Sequence, residues 1–180
     1  LKSILEEEKD FFMEGIVLYG TRSFYNVWEV VCQEVFGNDK SYRRKIPKPK
    51  WIEHKSNTIT EVATLIPDIT YLRRDKFYIL DTKYYNIDFD DNGQLMNGAP
   101  GVSDIGKQFL YENSLEKILG YKDIYNAFIY PSQEMNSEIV GTIKFDIFEG
   151  KEIKVIRLNS EKIYRAYLNN IILEIEKILI

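Results

Sequence analysis

Two apolar runs interrupted by four charged residues constrain this chain more than any other feature. Leu65-Ile66-Pro67-Asp68-Ile69-Thr70-Tyr71-Leu72 leads into Arg73-Arg74-Asp75-Lys76, and the apolar pattern resumes from Phe77 to Leu80 before Asp81-Thr82-Lys83. This reads as a β-hairpin with its turn at Arg73 to Lys76. A turn centred on Arg74-Asp75 sets Leu72 opposite Phe77, Thr70 opposite Ile79 and Asp68 opposite Asp81. Residues directly opposed on antiparallel strands share a face, with Cβ atoms roughly 5 Å apart. Lys83, two residues past Asp81, falls on that face too. Two carboxylates this close repel unless a cation lies between them or one takes a proton. An all-oxygen pair suits a hard ion such as Mg²⁺ better than zinc.

The remaining composition narrows the choice. At 180 residues, with 44% hydrophobic and 14% aromatic content, the chain is expected to form one domain with a real core. It begins with Leu1, as expected of a piece of a longer protein. One cysteine, Cys32, excludes a disulfide framework and a cysteine-rich zinc site, and suits a reducing cytoplasm. One histidine, His54, leaves little scope for a serine or cysteine triad. The apolar C-terminal run is broken by Glu174, Glu176 and Lys177, so no membrane span is expected.

Net charge is -4, yet charge is unevenly spread. From Lys40 to Lys55, Lys40, Arg43, Arg44, Lys45, Lys48, Lys50 and Lys55 face only Glu53, a local charge of +6, with Tyr42 and Trp51 interleaved. This stretch is either a phosphate-holding patch or a solvated loop kept extended by Pro47 and Pro49.

Periodicity organises the rest. Leu1 to Met13 reads as a short amphipathic helix, and Thr21 to Phe36 as a stronger one that Gly37 can terminate. Thr58 to Ile66 and the hairpin give three strand-like segments ending near Tyr85, followed by a polar loop from Asp88 to Gly101. Asp104 to Leu119 reads as a helix with Ile105, Phe109, Leu115 and Leu119 on its apolar side and Asp104, Lys107, Gln108 and Tyr111 on another. Ile124 to Tyr130 is a strand, Thr142 to Phe148 and Ile153 to Leu158 a hairpin, and Ser160 a cap for a closing helix to Ile180. The expected fold is α/β or α+β, a mixed sheet flanked by helices, with an extra C-terminal hairpin and helix.

The order of elements from Phe24 to Tyr130, with Pro67-Asp68 on one hairpin arm and Asp81-Thr82-Lys83 on the other, resembles the PD-(D/E)XK nuclease superfamily. That resemblance implies that Asp68 and Asp81 bind catalytic Mg²⁺, for which Mn²⁺ can substitute, and that Lys83 positions or activates the attacking water. It also implies that Glu29, on the preceding helix, completes the metal shell. Gln108, with Lys107 and Tyr111 beside it, matches the polar helix position that reaches the scissile phosphate. More narrowly, Tyr19-Gly20-Thr21-Arg22-Ser23-Phe24 and the Ile66 to Tyr85 block look like the LlaJI-type restriction endonuclease group, related to the McrC nuclease subunits. Such proteins work with an McrB-like AAA+ GTPase on DNA, and cutting both strands calls for dimerisation on the substrate.

Two motif look-alikes fail on their chemistry. Asp88-Phe89-Asp90-Asp91-Asn92-Gly93 copies half a calcium loop, but Ala99 stands where a bidentate glutamate is required. Gly101 to Gln108 mimics a P-loop, but Gln108 replaces the magnesium-binding hydroxyl and no strand precedes it. The expected chemistry is in-line hydrolysis of a phosphodiester by water, with Lys83 stabilising the developing charge or serving as base. The alternatives are a catalytically silent nucleic-acid-binding or assembly module, and a nuclease specific for RNA or for branched structures.

Overall fold

The computed structural model describes residues 12–13, 16–17 and 23–179. Two short strands, β1 (Phe12–Met13) and β2 (Ile16–Val17), pair antiparallel. Helix α1 (Phe24–Phe36) ends where Gly37 turns left-handed at φ 70°, and the Asn38 amide reaches back to the Gln33 carbonyl. A left-handed residue at this position closes the last turn, and glycine adopts it without a Cβ clash. After a 3₁₀ segment at Lys40–Lys45 come β3 (Lys50–Ile52) and β4 (Ile59–Glu61), which form an isolated two-stranded ribbon.

The main sheet starts with β5 (Ile69–Arg73) and β6 (Lys76–Thr82). Their register is Ile69 to Leu80, Thr70 to Ile79, Tyr71 to Tyr78, Leu72 to Phe77 and Arg73 to Lys76, as the turn chemistry predicts. Next come a small ribbon of β7 (Asp88–Phe89) and β8 (Leu95–Asn97), and helix α2 (Val102–Leu119). Strand β9 (Ile124–Ser132) lies parallel to β6, while β10 (Glu138–Ile143) and β11 (Ile153–Asn159) extend the sheet, with β11 parallel to β9. Helices α3 (Ser160–Leu168) and α4 (Ile175–Ile178) close the described chain. The five-stranded order is β10-β11-β9-β6-β5, a mixed sheet.

Strand alternation sorts the core into two layers of packing. Tyr78 and Leu80 of β6 face α1 and α3, where Trp28, Cys32, Ile163 and Ala166 are buried with them. Phe77 and Ile79 face the other way, against Tyr111 and Leu115 of α2, and Phe109 of α2 packs on Phe128 and Tyr130 of β9. The sheet is thus covered on both faces, as parallel strands require. Asp81 and Lys83 continue the α2-facing series at the C-terminal end of β6.

Several expectations need correction. Phe12 and Met13, expected at the end of a first helix, are strand residues, whereas residues 1–11 lie outside the described part. The Thr58 to Ile66 segment contributes only Ile59–Glu61, and to the side ribbon rather than the main sheet, because its partner is the basic stretch at Lys50–Ile52. That basic stretch is therefore a 3₁₀ turn and a strand rather than one extended loop. The polar loop from Asp88 contains the β7-β8 ribbon. The C-terminal hairpin pairs Ile153–Asn159 with Glu138–Ile143, so its first strand ends at Ile143, where Thr142 to Phe148 was expected. The closing helix breaks after Leu168, and its cap is Asn159, whose side chain accepts from the Lys162 amide. Among the described residues no helix is long and apolar enough to cross a membrane.

Candidate active site

The end of the β5-β6 hairpin is held by the segment that follows α1. The Asn38 side chain donates to the Asp68 carbonyl (3.1 Å) and accepts from the Thr70 amide (2.9 Å), and Asp39 N–H donates to the Thr70 carbonyl (2.7 Å). Arg43 Nη2 adds a second donor to the Asp68 carbonyl at 2.7 Å. The Asp68 backbone is therefore pinned one residue before β5 begins, just beyond the Ile69 to Leu80 pair, and its side chain reaches across to Thr82 of β6. Asp68 Oδ2 accepts from both the amide and the hydroxyl of Thr82, each at 2.8 Å.

Asp81 and Lys83 meet. Lys83 Nζ lies 2.8 Å from Asp81 Oδ2 and 2.8 Å from Oδ2 of Asp104, in the first turn of α2. The contact to Asp104 has hydrogen-bond alignment, whereas buried Asp81 Oδ2 has no aligned hydrogen bond and only the ion-pair contact. The ammonium also sits 5.2 Å from the centre of the Phe128 ring, which floors the site. Lys107 approaches the other oxygen of Asp104 at 3.6 Å.

The electrostatics follow from this crowding. Burial, and then the neighbouring Asp68 carboxylate, push the Asp81 carboxyl up to about 6, against the opposing pull of Lys83. Burial works to lower Lys83, but Asp81 and Asp104 outweigh it, and the ammonium is held well above its usual range. Asp104 is lowered, chiefly by its hydrogen bond from Lys83. The Tyr111 hydroxyl is pushed up to about 12 by burial, with Asp81 and Asp68 as the next causes, so its phenol lies within the field of this centre.

Glu29, on α1, accepts a hydrogen bond at its Oε1 from Gln33 Nε2 at 2.8 Å. Its carboxyl is raised by burial and then by Asp68, and Arg43 opposes that rise. Glu29 on α1 thus feels the Asp68 carboxylate, while Asp81, Lys83 and Asp104 cluster on the α2 side. Among the described residues, no group of three or more His, Cys, Asp or Glu side chains is arranged to hold a metal ion. A magnesium ion needs no such set, because it binds through one or two carboxylates and keeps several waters. Asp68 and Asp81 supply hard oxygen donors, and a cation beside them would relieve both the raised Asp81 carboxyl and its unaligned oxygen. The donor set fits Mg²⁺ or Mn²⁺.

Other sequence-derived candidates fall elsewhere. Gln108 is fully buried; its amide donates to the Ala127 carbonyl of β9 at 3.3 Å and its Oε1 is unpartnered. Tyr111 is buried beneath α2 with Phe77 and Ile79, so these two belong to the sheet-facing side of the helix rather than to a polar side. The Gln108 side chain reaches the Ala127 carbonyl of β9 and Tyr111 packs on the apolar residues of β6, while Asn126 of β9 donates to the Gln108 carbonyl and to Glu112. Arg44, Lys45, Lys48 and Lys50 are exposed, with Lys45 over the Tyr42 ring and Lys48 4.0 Å from Glu61. Arg43 is turned inward to Asp68 and departs from that surface group. The sequence reading gives no site role to Asp104, Thr82 or Asn38, although it places Asp104 on the polar side of its helix and Thr82 between Asp81 and Lys83. An acidic residue in the first turn of the helix after the lysine strand is the signal that could have found Asp104. The Tyr19-Gly20-Thr21-Arg22 motif lies outside the described residues.

A sequence model of the LlaJI restriction endonuclease family matches residues 1–161. The type II restriction enzyme BsuMI component YdjA of Bacillus subtilis is 38% identical over 179 residues, covering 94% of this chain and 38% of the relative. The chain therefore spans well under half the length of that relative.

Proposed function

The chain belongs to the LlaJI restriction endonuclease family, and from that premise we propose that it is the cleavage module of a restriction system, hydrolysing DNA phosphodiester bonds with a divalent cation. The observation that carries this reading is the meeting of Asp81 and Lys83 at the C-terminal end of β6, one strand from Asp68. Asp68 and Asp81 would hold Mg²⁺ or Mn²⁺, with Glu29 beside Asp68 as a further acceptor. When bound, the cation supplies Lewis-acid stabilisation of the phosphate and makes water a better nucleophile.

The protein's own groups divide the remaining work. Lys83, set between Asp81 and Asp104, presents its ammonium toward negative charge building on the phosphate. Asp104 keeps that ammonium aimed from α2. Thr82 orients one oxygen of Asp68, and Asn38 and Arg43 fix its backbone. Such preorganisation matters because donors already in place cost no reorganisation during reaction.

The relative is named as a component of a restriction enzyme, which supports action within an assembly. An McrB-like AAA+ GTPase as motor, and pairing of two copies on DNA to cut both strands, complete the proposal. One observation favours a second reading, a silent DNA-binding module: Lys83 is already satisfied by two carboxylates, as in a structural ion-pair network. Plasmid DNA incubated with the protein and Mg²⁺ or Mn²⁺, with and without a GTPase encoded beside it, separates the two. Metal-dependent nicking supports the nuclease. Binding without nicking under every condition supports the silent module.

A further inference from the structure

The parallel strands β6, β9 and β11 all end on the same side of the sheet, with Thr82 beside Ile129 and Asn159 beside Ser132. Lys83 N–H continues the pairing by donating to the Ile129 carbonyl at 2.9 Å. Immediately past Lys83, a cleft of about 630 Å³ opens along these strand ends, between the 84–88 segment and the 131–134 segment. Crevices outside the carboxyl ends of parallel strands are the usual ligand positions of such sheets. This volume lies within the roughly 300–1,000 Å³ of small-ligand sites.

The lining discriminates between the parts of a nucleotide. Arg157 is the cation in the wall, and it is already engaged: its guanidinium contacts the Ile87 carbonyl, lies 3.7 Å from Glu138 and sits 5.8 Å from the Phe89 ring. Asp88 and Glu134 face the same space, so the lining is net negative and unsuited to a phosphate. What it offers instead is two phenol rings and neutral amides. Tyr84 and Tyr85 are each anchored on one side, Tyr84 against Phe24 at 5.2 Å and Tyr85 edge-on to Tyr130 at 5.4 Å, yet remain 40% and 41% exposed. The Asn86 and Gln133 side chains are exposed beside them and carry both donors and acceptors.

We propose that this cleft takes the base of an unpaired nucleotide of the strand being cut, stacking it on Tyr84 or Tyr85 and meeting its edge with Asn86 or Gln133. The inference rests on the nuclease reading for the identity of the ligand. It adds to that reading a base-holding site next to the reacting centre, reached by a strand that runs from β6 across the ends of β9 and β11. Stacking on an aromatic side chain is tolerant of sequence and contributes strongly for each base.

The test reads binding alone, so it stands apart from hydrolysis. The protein is titrated without divalent cation against fluorescent oligothymidylate and against an abasic strand of equal length and charge. The wild type is expected to prefer the strand that carries bases by about tenfold. The doubly substituted Tyr84→Ala, Tyr85→Ala protein should lose the preference, and the corresponding Tyr→Phe changes should keep it. Equal affinity of the wild type for the two strands, or a preference that survives the double alanine change, would each overturn the assignment. Absence of nicking alongside an intact preference would reject hydrolysis and leave the base site standing.

Discussion

Lys83 and Asp104 meet at 2.8 Å although they come from different layers, one from the end of β6 and the other from the first turn of α2. The pair ties the helix to the strand that carries Asp81, and it fixes which way the ammonium points. Asp104 is therefore a positioning residue in this account. Asp104→Ala is expected to reduce the cleavage rate roughly ten- to hundredfold, as loss of an orienting partner typically does. The KM for DNA should stay nearly constant and Asp104→Glu should recover part of the rate. Equal losses in KM and rate would point to a merely structural role.

Asp81 is expected to reveal itself through stability. Its folded-state carboxyl, at about 6, lies above the ordinary 3.8, so the folded chain holds a proton that the unfolded chain releases. The sign follows: wild-type stability relative to an uncharged residue is unaffected below about pH 4, falls as pH rises toward about 6, and is flat above that. Asp81→Asn should therefore raise the melting temperature at neutral pH, by a free energy on the order of 2 kcal/mol, and give no gain near pH 4. Thermal unfolding of both proteins across this range is the measurement.

The same carboxyl governs cation binding. Protons compete for Asp81 below about pH 6, so Mn²⁺ affinity measured by calorimetry should fall steeply as pH drops through that value. A flat affinity between pH 5 and 8 would separate Asp81 from the metal.

Thr82 should matter through Asp68. Thr82→Val keeps the shape of the side chain but removes the hydroxyl bonded to Asp68 Oδ2, leaving the amide bond in place. A loss of about tenfold in Mn²⁺ affinity is expected, with the melting temperature little changed.

Much of this architecture was legible because it is local. The hairpin register follows from four charged residues between two apolar runs, and Gly37 ends α1 where a left-handed residue is needed. The side-ribbon partner of Ile59–Glu61 was not legible, since Lys50–Ile52 is short, fully exposed and interrupted by prolines on its N-terminal side. The inward turn of Gln108 and Tyr111 was hidden for another reason. Helical spacing shows which residues share a side, but it is the docking of α2 on β6 and β9, distant in sequence, that makes that side a buried one. Within the site, the Asp81 to Lys83 contact follows from strand alternation, whereas the Asp104 contact depends on where α2 docks.

Lys83 separates a catalytic centre from a structural ion network most sharply. Nicking of supercoiled plasmid by wild-type protein and Lys83→Ala, both verified as folded by circular dichroism and supplied with Mg²⁺ and any required GTPase, is the direct test. Wild-type nicking that depends on Mg²⁺, with a loss of at least about a hundredfold in Lys83→Ala, is the predicted result. Undiminished cleavage by the folded Lys83→Ala protein would contradict the account.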